Sequence, residues 1–140
     1  MKLGKTSKKN MENIHNDWHI IINYYMQIGR TDITIVEGFR KAKRQHNLFT
    51  KGLSTLDGYK KISKHQTGLA VDICIYNKQY NIKYDELHLS YVAGSIIAIA
   101  EMLYRLGIIE HKVRWGGDWN KNGVIKKDQK FQDLVHLELY

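Results

Sequence analysis

A carboxylate in the middle of an apolar run, with one histidine just before it and another far behind, offers this chain its clearest means of doing chemistry. The stretch Ser63-Lys-His-Gln-Thr-Gly-Leu-Ala-Val-Asp72 sets His65 ahead of Gly68, where the backbone can turn, and then enters Leu69 to Tyr76. Those residues alternate as a buried strand, with Val71, Ile73 and Ile75 on one face and Ala70, Asp72, Cys74 and Tyr76 on the other. A carboxylate at Asp72 is costly unless it is hydrogen-bonded, ion-paired or bound to a metal. Taken alone, it reads more readily as a buried aspartate satisfied by a lysine or by backbone amides. His136 changes that reading. It lies in a second short apolar strand, Asp133-Leu-Val-His-Leu-Glu-Leu-Tyr140. If the two strands are neighbours, Asp72 and His136 project from one face while His65 reaches over from its loop. Two imidazoles and a carboxylate with an open fourth position suit a catalytic zinc ion, at which a bound water becomes acidic near neutral pH. Asp133 lies three residues before His136, so a regular strand points it to the opposite face. It reaches the same centre only if the strand begins with a bend or starts just after it. Glu138 shares the parity of His136 and is placed to orient that ligand.

Together these residues form the pattern Ser63-x-His65-x-x-Gly68-x-Ala70-x-Asp72, followed by Asp133-x-x-His136-x-Glu138. The pattern resembles the zinc peptidases that cut bacterial cell-wall peptides: VanY-type D-alanyl-D-alanine carboxypeptidases, VanX-type dipeptidases and the L-alanyl-D-glutamate endopeptidases found among phage endolysins. The resemblance takes in Val36-Glu-Gly-Phe-Arg40, Gln45 and Trp115-Gly-Gly-Asp-Trp119, and covers about residues 30 to 140. Four blocks in the right order are far more specific than a bare His-x6-Asp. The resemblance implies an α+β fold of the Hedgehog and DD-peptidase kind, an antiparallel sheet carrying a zinc site with helices packed on it. It implies zinc on His65, Asp72 and His136, Asp133 as general base, and Arg40 as the cation that stabilises negative charge on the former carbonyl oxygen or anchors substrate. Ser63, Gln45, Trp115 and Trp119 are the expected substrate contacts. Glu37 and Gln45 are also placed to orient Arg40 or to line the cleft. The tryptophans read equally well as core filling.

The compact Asp-x-x-His ending and the Trp-Gly-Gly-Asp-Trp block look most like the endolysin branch, which implies cleavage between L-alanine and D-glutamate. A D-alanyl-D-alanine carboxypeptidase or dipeptidase with the same metal and a different pocket is the alternative. A non-enzymatic zinc-binding module, as in Hedgehog, is the more distant one, although both Asp133 and Arg40 are present. Asp118-x-Asn120-x-Asn122-Gly123 also resembles the opening of a calcium loop. Gln129 stands where a bidentate glutamate is needed, and Lys121, Lys126 and Lys127 oppose a divalent cation. A basic loop bordering the cleft is the simpler reading.

Composition is compatible with these expectations. A chain of 140 residues without proline or repeats reads as a single catalytic domain, residues 1–140, without a separate wall-binding module. A net charge of +8 attracts nucleic acid, anionic membranes and anionic wall polymers alike. No nucleic-acid-binding motif accompanies it, so bacterial peptidoglycan is the expected partner and a monomer the expected state. The basic start leads into a helical pattern containing Asp17, His19 and Asn23, which suggests neither a signal peptide nor a membrane span. Synthesis in the cytoplasm, with holin-type release or lysis giving access to the wall, is the corresponding expectation. The single Cys74 suits a reducing compartment and a buried, hydrophobic role.

The elements that must position the site follow from periodicity. One helix is expected over about 7–28, a strand over 33–39, a short helix over 41–51 and the strand from Leu69. A turn or hairpin over 77–84, a long buried helix over 85–106 and strands over 113–119 and 133–140 complete the chain. His15 and His19 lie one helical turn apart but lack a third partner in sequence, and His88 and His111 lack ligand-like neighbours. All four read as structural or surface residues.

Overall fold

Alternating apolar residues form four strands, joined in one antiparallel sheet, in this computed structural model, which describes residues 1–77, 79, 83–125 and 128–140. The strands are β1 (Ile33–Glu37), β2 (Ala70–Ile75), β3 (Val113–Gly116) and β4 (Asp133–Leu139), in spatial order β1-β2-β4-β3. Among the described residues four α-helices accompany them: α1 (Lys5–Asn10), α2 (Asn16–Ile28), α3 (Ala42–Thr50) and α4 (Glu86–Arg105). The architecture is α+β.

The faces of the sheet follow the parity of the sequence. Val71, Ile73 and Ile75 are buried against the helices, whereas Asp72 and Cys74 are only partly covered. From α4, Leu89, Val92, Ile96 and Leu103 recur at helical spacing and are fully buried. They meet Trp18, Ile21, Ile22 and Tyr25 of α2 in one core. α4 is long and apolar enough to cross a membrane by length and composition, yet its apolar stripe packs on α2 and the sheet, as in a core helix.

The single helix expected over 7–28 is divided. Asn13 adopts φ 62°, a left-handed conformation that asparagine tolerates better than most residues, and the chain turns there. The break gives α1 a separate task at the outer edge of β1. Asn10 Nδ2 donates to the carbonyls of Ile35 and Val36, both at 2.9 Å, and Ser7 Oγ accepts from the Ile35 amide at 3.1 Å. Edge groups that would otherwise face open solvent are thereby occupied. Half of the turn or hairpin expected over 77–84 lies outside the described residues, as do Lys126 and Lys127 of the basic loop.

Between α3 and β2, a 3-10 turn at Lys64–Thr67 ends at Gly68, which has φ 71°. A Cβ there would stand 2.8 Å from the Asn13 carbonyl oxygen, so the close approach of this turn to the α1–α2 junction requires glycine. Gly68→Ala should cost about 2 kcal/mol of unfolding free energy, from the left-handed backbone and the clash together. Denaturant unfolding at unchanged m-value checks it, and a cost near zero would refute the packing described.

Candidate metal centre

Cross-strand register brings the expected ligands together. Asp72 pairs directly with His136 across β2 and β4, and Glu37 lies opposite Asp72 from β1. His65 approaches from the 3-10 turn, which a reciprocal cap holds: Ser63 Oγ accepts from the His65 amide at 3.3 Å, and Gln66 Oε1 accepts from the Ser63 amide at 3.0 Å.

Hydrogen-bond partners fix one imidazole tautomer and restrain the other ring. His65 Nδ1 lies 2.8 Å from the Gly38 carbonyl oxygen, which can only accept, so the ring hydrogen belongs on Nδ1 and Nε2 presents its lone pair. His136 lies between two carboxylates, with Nε2 3.1 Å from Glu138 Oε2 and Nδ1 3.1 Å from Asp72 Oδ1; when Nε2 donates to Glu138, Nδ1 is the inward lone pair. Arg114 in turn holds Glu138 through an ion pair. Three atoms now face one another: His65 Nε2 and His136 Nδ1 at 3.2 Å, His136 Nδ1 and Asp72 Oδ1 at 3.1 Å, and His65 Nε2 and Asp72 Oδ1 at 3.3 Å. With these tautomers all three are acceptors. Such a cluster calls for a cation, and two nitrogens with a carboxylate oxygen form a donor set that can hold a divalent transition metal.

Without metal, a proton takes that place. Burial disfavours the His136 imidazolium, but hydrogen bonds to Asp72 and Glu138 and the nearby negative charges outweigh it, raising the pKa to about 9. Burial likewise opposes ionisation of Asp72, yet the hydrogen bond from the His136 imidazolium holds its carboxyl well below the ordinary range.

The strand β4 is irregular beside Asp133, as a reach from there to the cluster would require. On β3, Trp115 pairs with Leu137 and the adjacent Gly116 with Asp133, so β4 bulges over Leu134 to His136. A Cβ at Gly116 would come within 2.1 Å of the Asp133 carbonyl oxygen, and glycine permits the approach. Burial first, and then the charge of Asp72, raise the Asp133 pKa, while His136 and His65 act in the other direction. Its carboxyl therefore shares the electrostatic environment of the cluster.

Arg40 stands on the other side of Asp72, with a terminal nitrogen 3.6 Å from Oδ2. Its guanidinium is fixed by Gln45 Oε1 at 2.8 Å and Glu37 Oε2 at 2.5 Å. Burial opposes ionisation of Glu37, but hydrogen bonds from Arg40 and Arg44 keep its carboxyl low.

Several expected substrate contacts have other work. Gln45 is 0% exposed and divides its amide between Arg40, Ser54 and the Leu56 carbonyl, so it positions the arginine instead of facing a ligand. Ser63 is buried as the cap of the His65 turn. Trp115 is core, its Nε1 donating to the Leu134 carbonyl at 2.8 Å. Trp119 differs, lying partly exposed with its ring 5.5 Å from that of His136.

The calcium reading at Asp118, Asn120 and Asn122 finds no support. Both Asp118 oxygens accept backbone amides, from Asn122 and Gly123, and the Asn120 and Asn122 side chains donate to Asp128. His111, expected to lack ligand-like neighbours, instead meets Asp17 and His15. The His15-x-Asp17 spacing was a possible sign, but its third member lies far along the chain. A groove of about 670 Å³ shares Glu37 and Arg40 with the centre and is bordered by Lys9, Lys41 and Arg44.

In chelator-stripped protein, the His136 pKa rises from 6.5 to about 9 on folding, so the proton binds the folded state more tightly. That stabilisation is complete below the unfolded value and is lost as pH rises through the folded one. Denaturant unfolding compared between about pH 6 and about pH 10 should show a loss of up to about 3 kcal/mol that is absent in His136→Asn. Equal pH slopes in the two proteins would refute the assignment.

The phage L-alanyl-D-glutamate peptidase family model matches residues 1–140. An L-alanyl-D-glutamate peptidase of Escherichia phage T5 is 31% identical over 140 residues, spanning 99% of this chain and 97% of that protein. The peptidoglycan L-alanyl-D-glutamate endopeptidase CwlK of Bacillus subtilis (strain 168) is 28% identical over 115 residues, covering 77% of this chain and 60% of CwlK. The crystal structure of the Serratia marcescens L-Ala D-Glu endopeptidase ChiX shares the fold, with a TM-score of 0.74 at 23% identity, over 100% of this chain and 90% of that one. The chain belongs to the phage L-alanyl-D-glutamate peptidase family.

Proposed function

We propose that the chain hydrolyses the L-alanyl-D-glutamate bond of peptidoglycan stem peptides as a zinc peptidase, with His65, Asp72 and His136 as the metal ligands. The convergence of their three acceptor atoms at 3.1 to 3.3 Å is the observation that carries this reading. When bound, zinc supplies a Lewis acid that polarises the scissile carbonyl and makes a water at its open position more acidic.

Asp133 acts as the base. It takes a proton from the water as the water oxygen attacks the alanyl carbonyl carbon, and returns that proton to the D-glutamyl nitrogen as the C–N bond breaks. A pKa raised by burial and by Asp72 suits a carboxylate that must later give its proton back. Arg40 stabilises the negative charge that develops on the former carbonyl oxygen, and its tethers to Glu37 and Gln45 mean that little reorganisation is needed. Glu138 keeps the His136 tautomer, and Gly38 that of His65. Trp119 borders the substrate. The lysines and Arg44 along the groove suit the carboxylates of the stem peptide.

The test is digestion of bacterial peptidoglycan with mass spectrometry of the products. Zinc-loaded protein should release fragments with a new N-terminal D-glutamyl group, and chelation should stop the release. Asp133→Ala should retain zinc yet lose roughly a hundredfold or more in rate. Arg40→Met should lose about a hundredfold in kcat without loss of zinc. Release of D-alanine would select the carboxypeptidase alternative, and no cleavage of any wall substrate by folded, zinc-loaded protein would overturn the peptidase reading.

A further inference from the structure

A second set of ligand-type side chains gathers outside the centre described above. His15 caps the N-terminus of α2, Asp17 lies in the first turn of that helix, and His111 comes from the segment between α4 and β3. His111 Nδ1 stands 2.9 Å from Asp17 Oδ2, and His15 Nδ1 stands 3.7 Å from Asp17 Oδ1. The two imidazole centroids are 4.6 Å apart, against 5.0 Å for His65 and His136. Two imidazoles thus flank one carboxylate, repeating the composition of the first centre on different elements.

Asp17 is not an ordinary surface carboxylate. It is 4% exposed, and its Oδ2 also accepts the backbone amides of Glu110 and His111, both at 3.0 Å. Those amides orient the carboxylate and help to keep it charged: burial opposes ionisation, but the hydrogen bonds keep the carboxyl below its ordinary value. A capping network would be a sufficient account if both oxygens were engaged in the same way. Oδ1, however, faces His15 at a distance too long for a hydrogen bond. His15 Nδ1 instead accepts the Asp17 amide at 3.1 Å, which spends its one lone pair on the cap of α2. No proton joins Asp17 Oδ1 to this ring, and one ligand-type atom of each of the three residues lies within 4.8 Å of the others, so a cation that draws the His15 lone pair from the amide would join them. Both histidines are partly exposed, which leaves room for water to complete a coordination shell.

We propose that His15, Asp17 and His111 form a second site for a divalent transition-metal ion, of the borderline kind that two imidazoles and one carboxylate prefer. On binding, the hydrogen between His111 Nδ1 and Asp17 would leave to solvent, and His15 Nδ1 would exchange the Asp17 amide, which water can then accept, for the metal. The site has a structural role. The His15 amide donates to the Gly68 carbonyl at 2.9 Å, and Gly68 ends the turn that carries His65. An ion here ties the start of α2 to residues 110 and 111 and so braces the support of that turn.

Zinc alone is the probe, titrated into chelator-stripped full-length protein. Wild type should bind two equivalents. His15→Gln and His111→Gln should each bind one and still cleave peptidoglycan, and the second equivalent should raise the Tm of wild type but not of His111→Gln. Imidazole nitrogen resonances give a measurement that needs no variant: the second equivalent should shift those of His15 and His111. Saturation of wild type at one equivalent, two equivalents retained by both variants, or a second equivalent that shifts other histidines instead would each overturn the proposal.

Discussion

Electron-pair donors crowded around one point repel unless a cation lies between them, and the surroundings of His65, Asp72 and His136 exist to hold three of them there. Each has a separate restraint. Gly38 fixes one imidazole, Glu138 the other, and the pairing of β2 with β4 fixes Asp72 against His136. The restraints come from a turn, a side chain and a sheet, so no single element could bring the cluster together. Around it the charges alternate: Arg114 behind Glu138 and Arg40 behind Asp72 offset the negative groups that the buried face would otherwise have to accommodate alone.

Much of this was legible because a strand has a period of two. Asp72 broke an apolar pattern, and the parity of Val71, Ile73 and Ile75 already indicated which way it faced. His136 and Glu138 share a face for the same reason. The reach of Asp133 was legible only as a condition. Whether a strand bulges depends on its neighbour, and the space at Gly116 that admits the Asp133 backbone belongs to a different strand.

The limits of sequence reading appear where a polar residue serves another polar residue. Gln45 was open to lining a cleft or orienting Arg40 and does the latter, and Ser63 matched a cleft position, but its side chain is consumed in holding the His65 turn. Spacing along a chain carries no information about such partners. The break at Asn13 was hidden too, because apolar residues continue at helical spacing through it, and only the edge of β1 gives α1 a reason to separate. His111 shows the same limit at longer range: nothing adjacent to it in the chain indicates Asp17, which reaches it by the docking of α2 beside the segment before β3.

The strand order bears on how the molecule folds. β3 touches the rest of the sheet only through β4, which is inserted between β2 and β3 although it follows both along the chain. Before β4 docks, β1 and β2 can pair but β3 has no strand to join. Closing the sheet therefore requires contacts between residues as distant in sequence as Asp72 and His136, which carry a loop-closure cost and slow the search. The same event brings Asp72 beside His136, so the cluster is completed late, with the final strand, and an early collapsed chain would carry its hydrophobic core without it.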